Sequence, residues 1–190
     1  MVRNYRPDPI APSLLSEVLE EALMIPTAGH SQGISLGVIG EPARRRAIAH
    51  LANERQWAER GFPAWLSTAP VHIVPCLEPE VYHRRYQRPD KSQAVSSQHW
   101  PVPYWVMDGG ACFMVLLLAA EQRGLAAGFQ GVHNLPGLET LLNLPVGVQP
   151  LGVVTLGYGS EIPAPARTTR PPRRSGRIHR ERWVTSEEPD

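Results

Sequence analysis

The stretch "YWVMDGGACFMVLLLAAEQRG", residues 104 to 124, constrains this chain more than any other. Its middle, "ACFMVLLLAA" (111 to 120), is apolar all round, and the run closes at Gly124 as a helix C-cap would. Such a helix needs cover on every side. The chain has 190 residues, which suits a single domain that buries roughly 70% of its unfolded surface. In so small a domain a second copy is the expected source of the remaining cover. The ten-residue apolar run is about half of the ~20 residues needed to span a bilayer, so a buried helix is expected and a membrane is not a partner.

The rest of the chain reads as helices alternating with isolated strands. After Pro12, Leu14, Leu15, Val18, Leu19, Ala22 and Leu23 recur at steps of three and four, which predicts a core-facing helix ended by Pro26. "ISLGVIG" (34 to 40) reads as a strand, and residues 41 to 61 as one polar-faced helix from Pro42 to Gly61. "PVHIVPC" (70 to 76) is a second strand, "LAAGFQG" (125 to 131) a short strand or turn, "PGLETLLN" (136 to 143) a short helix, and "PLGVVTLGY" (150 to 158) the clearest buried strand. Residues 78 to 103 are polar, lack steady periodicity and read as a long functional loop. No strand–helix–strand unit carries a G-x-G-x-x-G fingerprint, which favours an α+β layer fold over a dinucleotide-binding doubly wound sheet.

Composition removes several classes of function. The net charge is +1, from 19 basic and 18 acidic residues, so no general electrostatic case exists for nucleic acid. Cys76 and Cys112 sit on separate apolar stretches without ligand spacing, which excludes a disulfide framework or zinc site and fits a reducing cytoplasm. The start "MVRNYRPDPI" is not followed by an apolar run and does not read as a signal peptide. From Gly159 the composition turns Pro- and Arg-rich. On the residues alone this is either an extended arm, docked through Trp183, or a basic tail with a weak nucleic-acid contact. Asp108 reads as a carboxylate offsetting the helix dipole, His72 as a satisfied edge or core residue, and Trp57 and Trp65 as packing residues.

"IPTAGHSQG" (25 to 33) collects hydroxyl, amide and imidazole groups between two glycines. By composition it is a helix-to-strand turn. Its place in the order "RNYRPDPI", "PTAGHSQG", "TAPVHIV", "YWVMDGGACFMVLLLAAEQRGLAAGFQG", "LPVGVQPLGVVTLGYGSE" and "IHRERW" changes that reading. The six segments together, spanning about residues 3 to 183, resemble the flavin-dependent nitroreductase superfamily.

The resemblance implies an α+β fold in which helices sandwich an antiparallel sheet, built as an intertwined homodimer. Residues 1–160 would form the flavin-binding domain, and residues 161–190 an extended arm of the same domain that wraps the partner. FMN would lie in two sites at the subunit interface. The loop resembles the family's Pro-Ser-x-x-Asn-x-Gln-Pro-Trp element, so Thr27, Gly29, His30 and Gln32 would run along the flavin. Arg3 matches the Arg of the N-terminal Arg-x-Phe/Tyr element that pairs with the FMN phosphate, a task suited to a guanidinium fork. "AAGFQG" resembles the segment facing the ring from the other side, which singles out Ala127, Gly128 and Phe129. One or two of Arg170, Arg173 and Arg174 would close on the phosphate. His83, Tyr86 and His99, in the long polar segment, are the candidates for touching substrate.

The implied activity is ping-pong hydride transfer from NAD(P)H through FMN to a small nitro, quinone, enone or similar acceptor. No side-chain acid or nucleophile is required, and no metal. Departures from the family pattern keep alternatives open: the usual Arg-Arg-Ser has no counterpart ahead of Arg3, His30 stands for Asn, and Gly33 and Ile34 stand for Pro-Trp. Either the tail arginines take over the phosphate, or the chain is a flavin-binding, storage or flavin-less scaffold protein. A dimethylbenzimidazole-forming enzyme and a deazaflavin-binding relative are further alternatives.

Overall fold

The computed structural model describes residues 1–160 and Glu181. The helices are α1 (Pro12–Leu23), α2 (Pro42–Leu51), α3 (Glu54–Glu59), α4 (Pro79–Tyr86), α5 (Tyr104–Gln122) and α6 (Leu138–Leu142). The strands are β1 (Ile34–Ile39), β2 (Val71–Leu77), β3 (Ala126–Gly131), β4 (Gln149–Pro150) and β5 (Gly152–Gly157). They form one antiparallel sheet in the order β1-β2-β5-β3, with β4 paired to β2.

Both faces of this sheet are covered. Ile73, Leu77, Val154 and Leu156 pack with Val18 and Ala22 of α1 and Cys112, Leu116, Ala119 and Ala120 of α5. Val74, Cys76 and Val153 point the other way, toward Ile48 and Ala49 of α2, Leu138 of α6, Trp65 and Leu66. Strands buried on two faces favour apolar side chains at nearly every position, which is why β2 and β5 read as near-continuous apolar runs, broken only by the buried His72 and Thr155, rather than alternating ones.

Among the described residues, α5 is covered on one side only. Met107, Met114 and Leu118 form a half-exposed apolar stripe at helical spacing, while Cys112, Leu116, Ala119 and Ala120 are buried. By length and composition this 19-residue helix would be able to cross a membrane, yet here its inner face is seated on the sheet. Arg123, just past its end, pairs with Glu17 and Glu21 of α1 at 3.1 and 2.7 Å and ties the two helices together.

The structure corrects two expectations. The helix expected over Pro42–Gly61 is two, broken where Asn53 adopts φ 51°. The break turns Glu54 inward, where Oε1 accepts hydrogen bonds from the backbone N–H groups of Trp65, Leu66 and Ser67 at 2.8, 2.6 and 3.2 Å. The polar segment 78 to 103 is not all loop. It begins with α4, seeded by Pro79 at its first turn, and Tyr82 is that helix's one fully buried side chain.

The N-terminal segment is stitched into the sheet. Val2 N–H donates to Ala127 C=O at 2.8 Å, Arg6 N–H to Tyr158 C=O at 2.9 Å, and Ser160 N–H to Asn4 C=O at 3.1 Å. Tyr5 bridges Gly159, and its phenol meets Thr155 Oγ1 at 2.7 Å. Burial pushes that phenol above its usual range.

Two predictions concern stability. Glu54→Ala leaves three backbone N–H groups without their acceptor and should cost about 3 kcal/mol in chemical denaturation, while Glu54→Gln should retain most of it. His72 is the second case. It is fully buried on β2, with Nε2 2.7 Å from Leu66 C=O and, among the described residues, no partner for Nδ1. Burial lowers its pKa from 6.5 to about 4. Below pH 6.5 the unfolded chain takes up this proton and the folded chain does not, so stability is full above that pH and falls toward pH 4. The loss should approach ~1.4 kcal/mol per pH unit, and denaturation of a His72→Gln variant across this window should lack that part of the slope.

Candidate functional site

Residues 25 to 33 leave α1 and enter β1 through a turn of unusual backbone. Gly29, His30 and Gln32 have φ of 62°, 55° and 56°. Two non-glycine residues in the left-handed region, within four positions, mark a conformation that the surroundings impose. Thr27 Oγ1 accepts from Gln32 N–H at 2.9 Å, and Ser31 Oγ donates to Ala28 C=O at 2.6 Å. From α4, Arg85 Nε donates to Gly29 C=O at 2.8 Å. The Tyr86 ring lies 2.7 Å from where a Cβ on Gly29 would stand, so only glycine fits there. The His30 and Gln32 side chains are left exposed on a pinned backbone.

Asp108 supplies the deepest anchor. Its Oδ2 accepts from Ala28 N–H at 3.0 Å and from the Tyr82 hydroxyl at 2.7 Å. It is buried, on the second turn of α5, so its role is to fix this loop rather than to offset the helix dipole. Burial and the adjacent carboxylate together push the Tyr82 phenol above its usual range, and it serves as a permanent donor.

The residues singled out for substrate contact take different places. Tyr86 packs under Gly29 and edge-on against Trp100, with ring centroids 4.7 Å apart. His83 Nδ1 lies 2.7 Å from Ser97 Oγ, and its ring contacts Trp105. His99 is exposed on the short turn Ser97–His99.

A second group forms at β3. The guanidinium of Arg3 lies over Trp65, 5.3 Å from the ring centroid, and its Nε is buried without a hydrogen-bond partner among the described residues. Arg3, Trp65, Leu66, Phe129, Gln130 and His133 line part of a cleft of about 760 Å³. Ala127 and Gly128 lie behind this wall. The Ala127 carbonyl is taken by Val2, and a Cβ on Gly128 would stand 2.6 Å from Val2 C=O and 2.8 Å from the Trp65 ring. Trp65, Gln130 and His133 escaped the sequence reading, because only the fold brings 65 and 130 to 133 beside Arg3.

The expected site residues therefore fall into two groups: the loop with Thr27, Gly29, His30 and Gln32, and the cleft with Arg3 and Phe129. Among the described residues no hydrogen bond, ion pair or ring contact joins the groups directly. α5 connects them, holding the loop through Asp108 and meeting Phe129 through Phe113, with ring centroids 4.3 Å apart. Arg170, Arg173 and Arg174 lie outside the described residues.

Comparison with known proteins agrees with this geometry. The model of the nitroreductase family matches residues 1–158. A protein of Methanothermobacter thermautotrophicus, whose name pairs NADH dehydrogenase with NAD(P)H nitroreductase, is 27% identical over 186 residues, covering 96% of this chain and 82% of that one. Among solved structures, the NADPH:FMN oxidoreductase of Vibrio harveyi complexed with NAD+ superposes with a TM-score of 0.73 at 20% identity, covering 98% of this chain and 75% of that one. Nitroreductase A of Vibrio parahaemolyticus gives 0.73 at 21% identity, covering 98% and 73%. A match over residues 1–158, together with the antiparallel sheet between two helical layers, means that the chain belongs to the nitroreductase family.

Proposed function

We propose that the protein is an FMN-dependent oxidoreductase that takes reducing equivalents from NAD(P)H and passes them to a small nitro, quinone, enone or similar acceptor. The general oxidoreductase role is supported by the family and by the names of its relatives. The observation that carries the flavin is Arg3. A buried guanidinium nitrogen without a partner among the described residues, on the wall of a cleft large enough for a small-molecule ligand, calls for an anion, and a phosphate suits its fork.

Bound FMN would supply the redox chemistry, alternately accepting and donating a hydride in ping-pong order. The chain's own residues hold and orient it. Arg3, joined by tail arginines among Arg170, Arg173 and Arg174, takes the phosphate. Phe129 and Trp65 give the cleft an apolar wall that excludes water. His30 and Gln32, exposed on a backbone that cannot relax, offer donors and acceptors to the polar edge of a flat ring. Because loop and cleft are separate in one chain, the complete site forms across a homodimer in which the Met107–Met114–Leu118 stripe of α5 is covered by its counterpart. In this reading residues 1–160 are the flavin-binding domain and 161–190 its extended arm.

Protein purified without added cofactor should absorb near ~450 nm or take up FMN on titration, and should oxidise NADPH with menadione or a nitroaromatic. Flavin bound without turnover points to storage, and uptake of neither FMN nor deazaflavin rejects the flavin site. Arg3→Ala should weaken FMN binding by about 1–3 kcal/mol, read by quenching of flavin fluorescence. Leu118→Glu puts a charge into the stripe and should shift sedimentation toward monomer, with flavin affinity falling in parallel.

A further inference from the structure

Arg3 is third from the N-terminus, where a chain ordinarily frays unless it is tied down. Burial does little to hold the residues ahead of it, since Met1 is 70% and Val2 37% exposed. Hydrogen bonds hold them instead. Val2 N–H donates to Ala127 C=O at 2.8 Å, and Val2 C=O accepts from the Tyr5 hydroxyl at 3.1 Å. The second bond matters most for Arg3. The Val2 carbonyl and the Arg3 nitrogen share one planar peptide, so fixing that oxygen fixes the plane from which the Arg3 side chain departs.

The Tyr5 hydroxyl is itself placed. Its residue is buried, and it lies 2.7 Å from Oγ1 of the fully buried Thr155 on β5. A phenol has one proton to give. With Thr155 donating to Tyr5, that proton is free for Val2 C=O, which is nearer than the Thr155 carbonyl at 3.4 Å. Gly128, opposite Thr155 on β3, leaves the room for this arrangement. A Cβ there would stand 2.6 Å from Val2 C=O, 2.8 Å from Thr155 Oγ1 and 2.8 Å from the Trp65 ring. The carbonyl before Arg3, the hydroxyl behind Tyr5 and the ring against the guanidinium thus meet over one glycine. Trp65 alone would not suffice. Attraction of a cation to a ring face is electrostatic and leaves a guanidinium free to slide or turn, whereas a bidentate grip on an anion tolerates little displacement.

We propose that Tyr5, backed by Thr155, is the positioning residue for Arg3. Its hydroxyl sets the peptide from which the guanidinium extends, and so the grip on a phosphate, without touching the ligand. The inference rests on the assignment of Arg3 to the flavin phosphate. It makes a buried hydroxyl pair a determinant of selectivity for FMN over riboflavin, which lacks the phosphate.

Titration of the apoprotein with FMN and with riboflavin, read by quenching of flavin fluorescence, tests it without turnover. Tyr5→Phe removes one oxygen and keeps the ring. It should weaken FMN binding about five- to ten-fold and leave riboflavin binding at the wild-type value. Thr155→Val should behave likewise, and Thr155→Ser, which keeps the hydroxyl, should bind like wild type. On an Arg3→Ala background Tyr5→Phe should have no further effect on FMN, because the hydroxyl acts through Arg3. FMN affinity unchanged in Tyr5→Phe, equal losses for both flavins, or a loss that adds to that of Arg3→Ala overturns the proposal. A wild type that binds both flavins equally or neither, or an Arg3→Ala variant that keeps its FMN affinity, rejects the phosphate assignment instead. The Nε–H resonance of Arg3 in the ligand-free protein, identified by its loss in Arg3→Ala, then decides the positioning alone. A signal protected from solvent exchange in wild type and rapidly exchanging in Tyr5→Phe supports it, and the same exchange rate in both overturns it.

Discussion

The buried carboxylate of Asp108 is the contact on which the candidate site depends. It receives one hydrogen bond from the Ala28 backbone and one from the Tyr82 phenol, and so joins the loop after α1, the helix α4 and the central helix α5 at a single oxygen, Oδ2. The left-handed residues His30 and Gln32 store strain that the turn would release if left alone. The anchors at Asp108, Arg85 and Tyr86 hold it in place. A catalytic carboxylate would need access to a reacting group, and this one is enclosed with both partners fixed. It acts as a rivet, and the side chains displayed on the riveted loop are the ones free to meet a ligand.

The sheet solves a different problem. Two helical layers cover β2 and β5 on both faces, and among the described residues nothing covers the outer side of α5. The same helix therefore serves the core with Leu116, Ala119 and Ala120, the loop with Asp108, the cleft with Phe113, and its outward stripe with whatever lies beyond the chain. Few residues separate these duties. A substitution meant to probe one of them should be read against the others.

Much of this was legible in the residues. α1 was marked by Pro12 and by its three-four spacing, β2 and β5 by near-continuous apolar runs, and the end of α5 by Gly124, whose φ is 71°. α4 was not legible, because one fully buried side chain, Tyr82, leaves no periodicity to detect. The break between α2 and α3 was hidden for a related reason. Asn53 and Glu54 look like ordinary polar helix residues until Glu54 is seen binding the backbone of residues 65 to 67, a contact made across a turn. At the site, the loop and Arg3 were found by their order along the chain, while Trp65, Gln130 and His133 became neighbours only through folding. Asp108 was recognised as structural but given the wrong partner, since a carboxylate near a helix start looks alike whether it faces a dipole or a distant loop.

The stitching of the N-terminus sets an order of assembly. Arg3 sits between Val2, bonded to Ala127, and Asn4 and Tyr5, joined to Ser160 and Gly159. Residues 2 to 6 thus lack their full seat until β5 has been made and paired with β3. On a ribosome, where folding follows synthesis from the N-terminal end, the segment carrying Arg3 must wait until residues 158 to 160 have been made. A chain cut short before residue 159 would lack the partners of Tyr5 and Asn4, and would leave the Arg3 side of the cleft without its seat.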